Sequence, residues 1–148
     1  MPTVADNLIE GLVTFSEKTQ NIGVARDAGA LLRQVLDAYD GTIGPNEECI
    51  IAFPAMVIRR DVRTDALVAV FPSRIIAAWR MGTFKKRTEC VTINRATITK
   101  AEWYVSRKAS TQGATLLDIT AGETHTFALP KGDAKAADLV RETIAPKA

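Results

Sequence analysis

The sequence predicts a mainly β fold with added α: seven short antiparallel strands forming a small sandwich or partly open barrel, capped by a C-terminal helix and preceded by a helical hairpin. Three observations lead there. The hydrophobic period changes from 3.6 to 2 across Gly44 and Pro45. Beyond that break, apolar runs of strand length alternate with turn signals such as Pro72-Ser73 and Ala121-Gly122. The last segment, KGDAKAADLVRETIAPKA, goes back to helical spacing. The 148 residues, 47% hydrophobic and 24% charged, fit one domain plus an extension, divided at residues 1–45 and 46–148.

The first helix follows from Val4, Leu8, Leu12 and Phe15, with Ile9 and Val13 broadening the stripe. Asp6 suits the positive end of its dipole, and Asn21, Ile22 and Gly23 read as its stop. A second helix carries a denser apolar face, Ala28, Leu31, Leu32, Val35, Leu36 and Tyr39, and ends at Asp40-Gly41. The first strand is expected at Glu48–Phe53, closed by Pro54, with the following AMVIRRDVRTD extending it at most to Ile58 before a charged loop. Leu67–Phe71 and Arg74–Arg80 form a hairpin, and Lys86–Ile93 alternates, with Val91 and Ile93 on one face. Thr97–Arg107, Thr115–Thr120 and Glu123–Leu129 complete the strands. Asp133 is the expected N-cap of the final helix, whose stripe is Ala136, Leu139, Val140 and Ile144.

Several functional classes fall away at this level. No apolar run approaches the ~20 residues of a membrane-spanning helix, and the N-terminus does not read as a signal peptide. Cys49 and Cys90 are too few for a disulfide framework and read as reduced thiols of a soluble cytoplasmic protein. The single histidine, His125, has no elbow-borne nucleophile or metal-spaced ligands beside it, so neither a catalytic site, a metal site nor a cofactor is expected. The net charge of +2 hides a segregation by segment. Residues 1–50 carry three basic and eight acidic side chains, whereas residues 51–108 carry twelve basic and four acidic ones. Such polarity can steer an anionic partner or seat the acidic prefix on the basic domain.

Four motifs stand in order: Glu47-Glu48-Cys49-Ile50, Pro72-Ser73-Arg74-Ile75-Ile76, Gly82-Thr83-Phe84-Lys85-Lys86, and the run from Phe127 through Pro130 and Lys131-Gly132-Asp133 to Ala134. In that order and spacing they resemble the bacterial pleckstrin-homology-like domains of the short type, over residues from about 46 to 146, two thirds of the chain. The resemblance implies a seven-stranded barrel, a non-catalytic binding role and a tendency to self-assemble. It also implies that Arg59, Arg60 and Arg63, in the loop after the first strand, lie at the same open end as Arg80, Lys85, Lys86 and Arg87. Guanidinium and ammonium groups so placed suit a phosphate-bearing ligand or an anionic lipid surface. The second strand, LVAVF, is apolar where lipid-binding relatives are basic, which counts against an inositol-phosphate pocket.

The second candidate is the helical hairpin. Its Leu31, Leu32, Val35, Leu36 and Tyr39 face either folds back on the sheet or meets a protein partner or a second copy. Trp79, Phe84, Trp103 and Tyr104 lie among the basic residues, but strand alternation assigns them to packing, and nucleic acid is not an expected partner. The expected function is a binding module that engages a protein or itself, with anionic-headgroup binding as the alternative.

Overall fold

The computed structural model describes residues 3–20, 22–44, 46–59, 62–81, 87–105, 115–129 and 134–144, with the backbone alone at 22–27, 59, 62–63 and 134. Helix α1 (Val4–Thr19) starts from a capping box. The Thr3 hydroxyl accepts from Asp6 N at 3.1 Å, and Thr3 N donates to Asp6 Oδ2 at 2.9 Å. The hydrogen bonds from Thr3, its backbone N–H first, hold the Asp6 carboxyl below its ordinary value. Gln20 ends the helix in the left-handed conformation, φ 57°. The stop therefore falls before Asn21, and Gly23 lies inside helix α2 (Ile22–Asp40).

The strands are β1 (Ile51–Arg59), β2 (Val62–Val70), β3 (Arg74–Met81), β4 (Arg87–Asn94), β5 (Lys100–Val105), β6 (Thr115–Ala121) and β7 (Glu123–Leu129). They form one antiparallel sheet in the order β4-β3-β2-β1-β7-β6-β5, so that β4 and β5 are its edges. Helix α3 (Ala134–Ile144) follows the last strand. Three strand expectations need correction. β1 runs straight through Pro54, because its second neighbour, β7, joins it only from Met56 to Ile58. The missing N–H of Pro54 therefore costs no bond on that side. β2 begins at Val62 and pairs Val62 with Arg59, which turns most of the expected charged loop into strand. The fifth strand also starts later than expected, at Lys100 in place of Thr97, since a 3-10 turn over Arg95–Thr97 precedes it. There the Asn94 side chain accepts from Ala96 N at 2.9 Å.

Period-2 alternation divides the core in two. Inward residues such as Phe53, Val57, Val68, Ala77, Trp79, Leu117, Ile119 and Phe127 form the barrel interior, together with Ala136, Ala137, Val140 and Ile144 of α3. The seam between β1 and β7 is only three residue pairs long. Phe15 of α1 joins the interior cluster there, stacking on Phe53 with ring centroids 5.1 Å apart. The outward residues Ala52, Leu67, Ala69, Phe71, Ile76 and Ala78 make a second buried cluster with the apolar sides of α1 and α2. β2 and β3 are thus covered on both faces, which explains why ALVAVF and IIAAW read as continuous apolar runs.

Three polar anchors fix this helical layer. The Tyr39 hydroxyl, fully buried, reaches the carbonyl oxygens of Leu67 at 2.6 Å and Ile76 at 2.9 Å. Burial, foremost, pushes its pKa well above the usual tyrosine value, so it stays a donor. Arg74 Nη2 donates to Glu47 Oε2 at 2.8 Å and to Thr42 O at 2.9 Å, tying the linker to β3. The Thr88 hydroxyl donates to Asp37 Oδ1 at 3.0 Å, tying α2 to β4. At Gly11, α1 lies so close to β1 that a Cβ would sit 2.6 Å from Cys49 Sγ and 3.1 Å from Ala52 N.

Candidate functional site at the barrel mouth

Three hairpins turn at one end of the sheet. Their last pairs are Arg59 with Val62, Met81 with Arg87, and Ala121 with Glu123. The pairing of Ile58 with Thr126 brings the start of β7 beside the end of β1. Gly122 makes the third turn possible, with φ 82°, a backbone region that favours glycine. Between these ends opens a recess of about 460 Å³, lined by Val57, Ile58, Val91, Glu123, Thr124, His125, Thr126 and Phe127.

The recess is apolar at depth and polar at its rim. Val57 and Phe127 are core residues. His125 lies two residues before Phe127 on the same strand face, and only 11% of its side chain is exposed. Its Nε2 lies 3.7 Å from Glu123 Oε1, an ion pair once the imidazole is protonated. By the same alternation Thr124 and Thr126 turn their hydroxyls to the other face of β7, where Thr126 Oγ1 donates to Asp118 Oδ1 at 2.7 Å and the Thr120 and Thr124 hydroxyls lie 3.1 Å apart. The wall offers the imidazole of His125 and the carboxylate of Glu123 above an aliphatic and aromatic floor, a setting that suits a ligand carrying both polar and apolar groups. Among the described residues no three His, Cys, Asp or Glu side chains gather as a metal site.

The basic residues expected at this end are distributed differently. Arg59 and Arg63 lie in β1 and β2 rather than in a loop, because the two strands pair up to Arg59 and Val62. Arg80 is exposed and shares the outward side of β3 with Ile76 and Ala78. Arg87 falls on the side of β4 that holds Val91 and Ile93, and its Nε donates to Glu89 Oε1 at 2.8 Å. These two cations therefore share no face of the sheet. Arg60, Lys85 and Lys86 lie outside the described residues.

Other cations of the basic segment serve the fold. Arg95 donates to the carbonyls of Phe71 at 2.9 Å and Thr143 at 2.7 Å, closing the β2–β3 turn onto the last turn of α3. Lys100 pairs with Glu102 at 3.2 Å along β5. Trp103 packs against the interior and its Nε1 donates to Asp138 Oδ1 at 2.8 Å, while Tyr104 points out, 44% exposed.

Of the two placements open to the hairpin face, the chain takes the fold-back on its own sheet. Leu32, Val35 and Tyr39 are buried in the chain's own outer cluster, and Leu31 and Leu36 pack half-buried against it. The physical reason is the apolar outer face of β2 and β3, which this side of α2 covers. Sequence reasoning passed over the mouth residues of β7. The signal was present: His125 has the parity of Phe127 and stands next to a tight turn.

No family model and no curated protein matches the chain. Among solved structures, the C-terminal domain of an unknown protein from Leishmania infantum superposes with a TM-score of 0.53 at 10% identity, covering 81% of this chain and 99% of that one. A pleckstrin homology domain from Shewanella amazonensis SB2B gives 0.49 at 18% identity, covering 80% and 96%. At such identities likeness speaks for the fold alone. Seven antiparallel strands in this order, open between β4 and β5 and followed by a single C-terminal helix, make the fold pleckstrin-homology-like.

Proposed function

We propose that this protein is a non-catalytic binding module that engages a protein partner through the barrel mouth. The observation that carries this reading is the recess of about 460 Å³, whose rim holds His125 and Glu123 over Val57 and Phe127. Donors and acceptors of both signs above an apolar floor fit a peptide segment better than a purely anionic group. Selection of a random peptide library on the protein tests it. Peptides enriched on the wild type and lost on Glu123→Arg, which puts a long cation at the rim beside His125, are the expected result. Equal enrichment on both proteins would overturn the mouth as the site.

A second reading has its own support. The excess of twelve basic over four acidic side chains in residues 51–108, with the β1–β2 and β3–β4 turns at one end, favours an anionic headgroup or another phosphate-bearing ligand. On that reading Arg59, Arg60, Arg63, Arg80, Lys85, Lys86 and Arg87 supply the contacts. Sedimentation with phosphatidylserine vesicles at low ionic strength, where attraction is strongest, decides it. Association that disappears in Arg59→Ser/Arg60→Ser/Lys85→Ser/Lys86→Ser supports this reading, and no association at low salt removes it.

A further inference from the structure

Helices α1 and α2 bury one side on the sheet, and between their outward sides runs a second recess. It measures about 250 Å³ and has Leu12 and Leu32 at its base. Ile9 and Val13 of α1 line it while remaining 48% and 41% exposed. Leu36, Arg33 and Gly29 line it from α2.

Gly29 adds an independent observation. A Cβ built there meets nothing within 4 Å, so no neighbour among the described residues requires a glycine. A helix-interior glycine is unfavourable relative to alanine, and here it leaves the groove open to close approach from outside. The contrast with Gly11, where α1 touches β1, is direct.

The rim is acidic. By helical spacing, Asp6, Glu10 and Glu17 continue the exposed side of α1 beside Val13, and Asp40 lies beside Arg33 on α2, the Asp37 carboxylate being held by Thr88 of β4. Two copies meeting groove to groove would set these acidic rims against each other, which disfavours a second copy as occupant.

We propose that this groove docks a basic amphipathic helix of a partner protein. Its aliphatic side chains, at i, i+3 or i+4 and i+7, would sit on Ile9, Leu12, Val13 and Leu36. Its backbone would come closest at Gly29, and its Lys and Arg flanks would face the acidic rim. The inference rests on the reading of the chain as a protein-binding module but uses the outer face of the helical layer in place of the mouth.

The test is a titration of ¹⁵N-labelled full-length protein with three synthetic 18-residue peptides. One carries Leu at helical spacing with Lys and Arg flanks, the second carries Glu in place of every Lys and Arg, and the third is a scrambled version of the first. Expected are amide shifts confined to α1 and α2 for the first peptide alone, with affinity falling at least 10-fold in Gly29→Gln and Ile9→Glu. Glu123→Arg should bind it unchanged, and a thermal midpoint of Gly29→Gln no lower than that of the wild type certifies that its loss is not unfolding. Equal binding of the acidic or scrambled peptide, or no shifts, overturns the groove. Shifts at the mouth that vanish in Glu123→Arg overturn it too, while leaving the binding-module reading standing. Light scattering that finds a dimer dissociated by Ile9→Glu would hand the groove to a second copy and overturn the basic helix.

Discussion

β2 and β5 belong to one sheet, yet they meet different surroundings. From Ala66 to Val70 every residue of β2 is buried, because the barrel interior lies on one side and α1 and α2 on the other. β5 has a single covered face: Trp103 packs inward against α3 while Tyr104 stands in solvent. Strand composition follows the number of covered faces. A one-sided strand alternates, and a two-sided strand reads as an apolar run. In this protein the second cover of β2 is the helical prefix, so the prefix is a layer of the fold rather than an appendage.

The comparison can be broken at its strongest point first. Phe71 is fully buried in the outer cluster, so Phe71→Ala should cost about 3–5 kcal/mol in urea unfolding, as much as Phe127→Ala in the interior. Tyr104→Ala on the open face of β5 should stay within about 0.5 kcal/mol. A Phe71→Ala cost as small as that of Tyr104→Ala would show that the outer cover contributes little.

The outer layer should also set the alkaline limit. Burial, foremost, pushes the Cys49 thiol from 9.0 up to about 12. The folded state thus keeps a proton that the unfolded chain releases. Stability is full below pH 9 and falls as pH rises towards 12, by about 1.4 kcal/mol per unit. Tyr39, shifted in the same direction, adds to the fall above pH 10. Urea midpoints at pH 8, 9, 10 and 11 should decline in the wild type and decline less in Cys49→Ala.

The two helical glycines sharpen the contrast within the prefix itself. Gly11→Ala pushes a methyl group into Cys49 and the backbone of β1, and should destabilise by about 1–3 kcal/mol. Gly29→Ala faces open space and should stabilise by up to about 1 kcal/mol through helix propensity. Thermal unfolding of the two single variants reads both signs. A stabilised Gly11→Ala would contradict the close contact between α1 and β1.

Much of this fold was legible because local patterns suffice for it. β7 falls at Glu123–Leu129 as expected, α2 ends at Asp40, and β6 starts at Thr115. What escaped depended on neighbours. Pro54 reads as a strand terminator until it is known that β1 lacks a second partner beside it. Arg59, Val62 and Arg63 read as loop because charge hides strand ends that pair through their backbone. The LVAVF run announced a second covering layer, yet nothing local to it names α2 as that layer. The site was less legible still. His125 becomes a mouth residue only when three hairpins are brought to one end, and Ile9 and Val13 become a rim only once Leu8 and Leu12 have turned to the sheet.

The central claim is that α2 and the β2–β3 pair form one cooperative unit, and native-state hydrogen exchange of the intact chain tests it directly. The account predicts that amides of residues 28–39 and of residues 67–70 open with free energies within about 1 kcal/mol of each other and of global unfolding. Amides of α2 that exchange several kcal/mol more readily, while those of β2 stay protected to the global limit, would contradict it.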